Sequence, residues 1–113
     1  PVGSVLFGGK PLARLIPGIG GSIVPPILEP SAPKDVIQVS ERETIKMCRQ
    51  TVKSSGWLIG GSTGSMLAGI KKYSQKIESG SKVVGLAPDF GVNYLDSIYS
   101  DTWVNDNFPM VEM

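Results

Sequence analysis

Apolar residues recur along this chain at two different spacings, and the change from one to the other marks out its elements. Ile45, Cys48 and Val52 fall at helical spacing and give one apolar face to a segment that Ser40 opens. Ser40 and Glu43 have the S-x-x-E spacing of a capping box, in which hydroxyl and carboxylate each take a free backbone N–H. Lys53 suits the last turn, where carbonyl dipoles favour a cation, and Gly56 suits the position just past the helix end. Met66, Ile70, Tyr73 and Ile77 make a second helical stripe, expected to end near Ser79 and Gly80. On this spacing Cys48 reads as core rather than as a nucleophile. Short runs rich in branched and apolar residues, at 2–7, 35–39, 57–59 and 82–87, read as strands.

The run at 57–59, the glycine turn after it, the second helix and the run at 82–87 predict a βαβ unit. Its strands would be parallel and its crossover right-handed. The expected fold class is therefore α/β, an open and mostly parallel sheet flanked by helices, in a single unit without a linker. Pro88 and Asp89 follow the last strand at its carboxyl end, where open parallel sheets bind ligands. A short helix is expected around residues 93–99, with Asp101, Trp103 and the polar segment after them forming a docked tail. Residues 16–26 (IPGIGGSIVPP) are too rich in glycine and proline for a helix or a central strand. That loop admits two readings: a surface connection, or backbone lining a pocket that glycine lets a ligand approach.

Composition removes several mechanisms. There is no histidine, which excludes a Ser-His-Asp triad, a Cys-His dyad and any histidine-bound metal, and one cysteine allows neither an internal disulfide nor a thiolate zinc site. The 11 basic and 10 acidic residues form no stripe interleaved with aromatics, so nucleic acid is not an expected partner. No apolar run approaches the roughly 20 residues that span a bilayer, so no membrane is expected. A reducing, cytoplasmic setting fits these counts.

The turn Gly60-Gly61-Ser62-Thr63-Gly64-Ser65 is the most distinctive string. It fails the Walker A pattern, because its glycines are one residue too close and no lysine follows. Gly18 and Gly20 supply only the first part of a dinucleotide fingerprint. Two readings of Ser62 stand: its hydroxyl caps the helix that follows, or it hydrogen-bonds a ligand.

The string GWLIGGSTGSMLA resembles the G-I-x-x-G-x-S-x-G segment of the cysteine synthase and cystathionine β-synthase family. The loop LIPGIGGSIVP, the helix VSERETIKMCRQTVKSSG and the ending GLAPDFGVNYLDSIYSDTW are also similar to that family, in the family's order. The resemblance implies a fold-type II, tryptophan synthase β-like enzyme dependent on pyridoxal 5'-phosphate (PLP), with small amino acids as substrates. It implies that Ser62 contacts the pyridine nitrogen of PLP, that Pro88 and Asp89 lie beside the ring, and that Gly18 faces the substrate. Gly21 and Ser22 would help to choose the second substrate. A homodimer is the family's usual assembly.

Within the family, VGSVLFGGKP, PGIG, GGSTGS and YLDSIYSDTW look most like the 2,3-diaminopropionate biosynthesis synthases of siderophore pathways. Such an enzyme joins O-phospho-L-serine to L-glutamate, giving N-(2-amino-2-carboxyethyl)-L-glutamate. A cysteine synthase using sulfide is the alternative. The family's Schiff-base lysine, asparagine loop and phosphate cup match nothing here. Residues 1–113 are thus expected to be the C-terminal portion of a longer enzyme, inactive alone and without a catalytic residue of its own. A non-catalytic binding module is the reading from another class.

Overall fold

In the computed structural model of the protein, residues 1–29 and 31–110 are described. Helix α1 spans Glu41–Ser55 and helix α2 spans Gly61–Tyr73, and they pack on each other. Both ends of α1 follow from local chemistry. The Ser40 hydroxyl accepts from the Glu43 N–H at 3.2 Å, and the Glu43 carboxylate accepts from the Ser40 N–H at 2.8 Å. Gly56 closes the helix at φ 73°, donating to the Val52 carbonyl. Lys72 near the end of α2 donates to the Glu43 carboxylate and to the Gln38 carbonyl at 2.7 Å, tying α2 to the start of α1.

Helix α2 begins earlier than its apolar stripe, and its buried side is built from small residues: Gly61, Thr63, Gly64, Ser65 and Ala68. Gly64 lies over Cys48 and the Thr44 carbonyl, so closely that a Cβ there would collide with the cysteine sulfur. Beside it the Thr44 and Ser65 hydroxyls bond each other at 2.7 Å within the contact. Met66, Ile70, Tyr73 and Ile77 are only half-buried. They line an open cleft of about 590 Å³, bordered on its other side by residues 81–84 and by Ile37 and Val39.

The core joins Ile45 and Cys48 of α1 to Ile16, Ile59, Ile98, Val104 and Phe108. Burying each large aliphatic side chain contributes about 1.5–3 kcal/mol. Two expectations about the last part of the chain are corrected. Residues 93–99 are not a helix; a 3₁₀ turn at Gly91–Tyr94 leads into further turns. The segment read as a docked tail instead forms helix α3, Asp101–Asn107, because Ser100 caps it by accepting from the Trp103 N–H at 3.3 Å. Asp101 also pairs with Arg49 of α1 at 2.6 Å. Residues 111–113 lie outside the described part of the chain.

The expected open parallel sheet does not form among the described residues. The only paired positions there are two isolated bridges, Leu6 with Gly8 and Ile59 with Phe90, and the second is antiparallel. The runs at 57–59 and 82–87 therefore do not make a right-handed parallel βαβ unit. Residues 2–7 and 35–39 are joined by a single backbone bond, from the Val2 N–H to the Val39 carbonyl at 2.9 Å. The physical reason is that a strand exists only when a neighbour takes its N–H and C=O groups. No hydrogen bond joins residues 82–87 to any other described residue.

The small-residue contact makes Gly64→Ala the most damaging single methyl on α2. The expected loss is about 1–3 kcal/mol by overpacking, measured by urea unfolding, and adding Cys48→Ala should recover part of it. Equal stability of Gly64→Ala and the parent would contradict the close approach.

Candidate functional site

Each carbonyl of the segment entering α2 takes a donor from outside that helix, and the Gly60 carbonyl also accepts from the Gly64 N–H at 3.1 Å. The Gly91 N–H donates to Leu58 at 2.9 Å, the Tyr99 hydroxyl to Ile59 at 2.6 Å, and the Cys48 thiol weakly to Gly60 at 3.7 Å. Gly60 occupies the cap position of α2 and has no side chain to cap with. Ser62 falls at the second residue of the helix, half-buried, and its hydroxyl has no hydrogen-bond partner among the described residues. The capping reading of Ser62 is thus not realised.

Asp89 comes to the same place. Its main-chain oxygen accepts from the Gly60 N–H at 3.3 Å, and a Cβ on Gly60 would fall on its carboxylate. One carboxylate oxygen accepts from the Tyr94 hydroxyl at 2.6 Å; the other is buried without a partner. That hydrogen bond pushes the Tyr94 phenol above its ordinary value. A carboxylate is favoured at a helix N-terminus, and here it holds that end of α2 against other anions. The buried Thr63 hydroxyl next to Ser62 is also without a partner. Pro88 is exposed and borders a cleft of about 540 Å³ between residues 56–59 and 87–90.

The glycine-rich loop reaches the site by its root. The Glu41 carboxylate accepts from the Leu15 and Ile16 N–H groups, both at 2.6 Å, and Ile16 lies directly under Gly61. Gly18 then turns with φ 84°, exposed, with open space where a Cβ would stand. Gly21 donates to the Ser4 hydroxyl at 3.0 Å, and Arg14 donates to the Ser22 hydroxyl at 2.7 Å. The structure therefore brings Ser62, Asp89 and the root of the Gly18 loop to the start of α2, while Gly21 and Ser22 are anchored to Ser4 and Arg14. The sequence reading passed over Ile16, Tyr94 and Tyr99. Tyr94, five residues after Asp89, carried a faint local signal; Tyr99, 40 residues from its partner, carried none.

Two groups behind the turn stay protonated. Burial pushes the Cys48 thiol up to about 11. Burial, and then the neighbouring Cys48, push the Tyr99 phenol well above its usual range. Both therefore remain donors at neutral pH, and Cys48 is structural, as its helical spacing implied.

No family model matches the chain. Among solved structures it is similar to an O-acetylserine-dependent cystathionine β-synthase from Helicobacter pylori, at 33% identity and a TM-score of 0.77 over 87% of its residues. The chain spans 32% of that protein's length. No helix among the described residues is long and apolar enough to cross a membrane.

Cys48 should be inert to an aromatic disulfide reagent in the native protein at pH 8 and react within the dead time once urea unfolds it. Rapid labelling of the folded chain would contradict the buried thiol.

Proposed function

We propose that this chain supplies the ring-nitrogen side of the active site in a PLP-dependent enzyme that replaces the β-substituent of an O-activated serine. The observation that carries the reading is Ser62, whose half-buried hydroxyl lies free at the start of α2 in a turn capped by glycine. No described protein group takes this hydroxyl, so it is available to a ligand. The orphaned Thr63 hydroxyl and Asp89 carboxylate oxygen beside it also suit a polar ligand.

These residues fit a neutral ring nitrogen better than a phosphate. The helix end that would attract an anion already carries the Asp89 carboxylate, and a phosphate there would meet like charge. PLP, when bound, draws electrons away from the α-carbon of an amino-acid substrate. Ser62 would hold the ring nitrogen through a neutral hydrogen bond. A carboxylate at that position would keep the nitrogen charged and strengthen the electron withdrawal, favouring other reactions over β-replacement. Asp89, fixed by Tyr94, and Pro88 would border the ring edge. Gly18 would offer its backbone to the substrate, and Gly21 and Ser22, fixed by Ser4 and Arg14, would shape the second-substrate side.

For the finer chemistry we favour O-phospho-L-serine as donor and L-glutamate as nucleophile, giving N-(2-amino-2-carboxyethyl)-L-glutamate. Its support is the motif combination of residues 2–11, 17–20, 60–65 and 94–103. A second reading, an O-acetylserine donor with a sulfur nucleophile, is favoured by the stated O-acetylserine dependence of the similar structure. Against a free-standing binding module stand the bare apolar side chains of Trp57 (70% exposed), Val84 (93%), Leu86 (78%) and Phe90 (76%). A self-sufficient domain seldom leaves so many large apolar groups in water.

The test is a PLP titration of the full-length protein followed by absorbance. Ser62→Ala should weaken binding about tenfold, the loss of one well-placed hydrogen bond, and Ser62→Asp should move the absorbance band further. Unchanged affinity and spectra in both variants would contradict the reading. Mass spectrometry of products from O-phosphoserine or O-acetylserine, each with glutamate or sulfide, decides between donors and nucleophiles: a glutamate adduct is expected, and a sulfur product alone would favour the second reading.

A further inference from the structure

We infer that Tyr99 is a positioning residue of this site, its hydroxyl holding the Ile59 carbonyl so that the turn presents Ser62 to the cofactor. The inference rests on the function proposed above. Of the donors that reach the entering segment from outside α2, Gly91 is main chain and the Cys48 contact is a long sulfur bond at 3.7 Å. Tyr99, at 2.6 Å, is the strong side-chain tie. Its ring fits only because residue 91 is glycine: a Cβ there would approach the Ile59 carbonyl to 2.6 Å and the Tyr99 ring to 2.7 Å. The Tyr99 N–H in turn donates to the Tyr94 carbonyl at 3.1 Å. One stretch of chain therefore fixes both halves of the site, with Tyr94 on the Asp89 carboxylate and Tyr99 on the carbonyl three residues before Ser62.

A buried tyrosine that merely satisfies its hydroxyl would support the whole core, whereas a positioning residue acts through Ser62. Tyr99→Phe keeps the ring and removes the donor, leaving the Ile59 carbonyl without it. In the full-length protein, hydrogen exchange at the Gly60 and Gly64 amides should rise about tenfold, the equivalent of one lost hydrogen bond, while the α1 amides stay protected. PLP affinity should fall and its absorbance band move in the same sense as in Ser62→Ala. The double variant Tyr99→Phe/Ser62→Ala should bind PLP no more weakly than Ser62→Ala, since residues acting through one another do not add.

Additive losses of PLP affinity, or a rise in exchange that extends through α1, would overturn the inference; so would unchanged exchange at Gly60 and Gly64. Should Tyr99→Phe fail to fold, Gly91→Ala displaces the ring while keeping the hydroxyl, and it must give the same band shift for the inference to stand. If the unaltered protein takes up no PLP, the proposed function fails. The exchange comparison then still decides whether Tyr99 holds the turn.

Discussion

Three missing Cβ atoms at the start of α2 let the rest of the structure meet. Gly60 leaves room for the Asp89 carboxylate, Gly61 for Ile16 and Ile98, and Gly64 for Cys48 and the backbone of α1. A methyl group at any of them would push a different segment away: the acidic step after residue 87, the root of the glycine-rich loop, or the partner helix. Close packing carries strain rather than absorbing it, so the position of Ser62 depends on all three contacts. The serine follows the second of these glycines directly, and the cap position of the helix is held by Gly60 rather than by its hydroxyl.

In the proposed enzyme, this convergence would let a short stretch of chain serve a cofactor without a catalytic group of its own. The helix end is charged by Asp89, its approach is fixed by carbonyl bonds from the 91–99 segment, and the protonated Cys48 and Tyr99 stand behind it as donors. What the site offers is a neutral hydroxyl in a fixed place. In an enzyme of the proposed kind, proton transfer would fall to groups outside these residues.

The parts of this arrangement legible in the sequence are those set by neighbours along the chain. The Ser40–Glu43 box, the Gly56 stop and the burial of Cys48 all follow from spacing within a few residues. The nearness of Pro88 and Asp89 to the glycine turn was also readable, although the supposed parallel sheet was the wrong route to it; the two segments meet instead through an antiparallel bridge between Ile59 and Phe90. The strands were not legible as pairs because pairing depends on partners far along the chain, and β-branched composition at 82–87 says only what a strand would like. Helix α3 hid behind polar composition although Ser100 and Asp101 carried its cap and first-turn acid. Tyr99 left no local trace, since its bond to Ile59 crosses 40 residues.

The central claim is that the free hydroxyl at the head of α2 meets the nitrogen of a pyridine ring. A crystal structure of the full-length protein grown with PLP addresses it most directly. The account expects the Ser62 oxygen at hydrogen-bond distance, about 2.7–3.2 Å, from that nitrogen, with Asp89 still held by Tyr94. A ring nitrogen met by another side chain, with Ser62 turned into the protein, would contradict it.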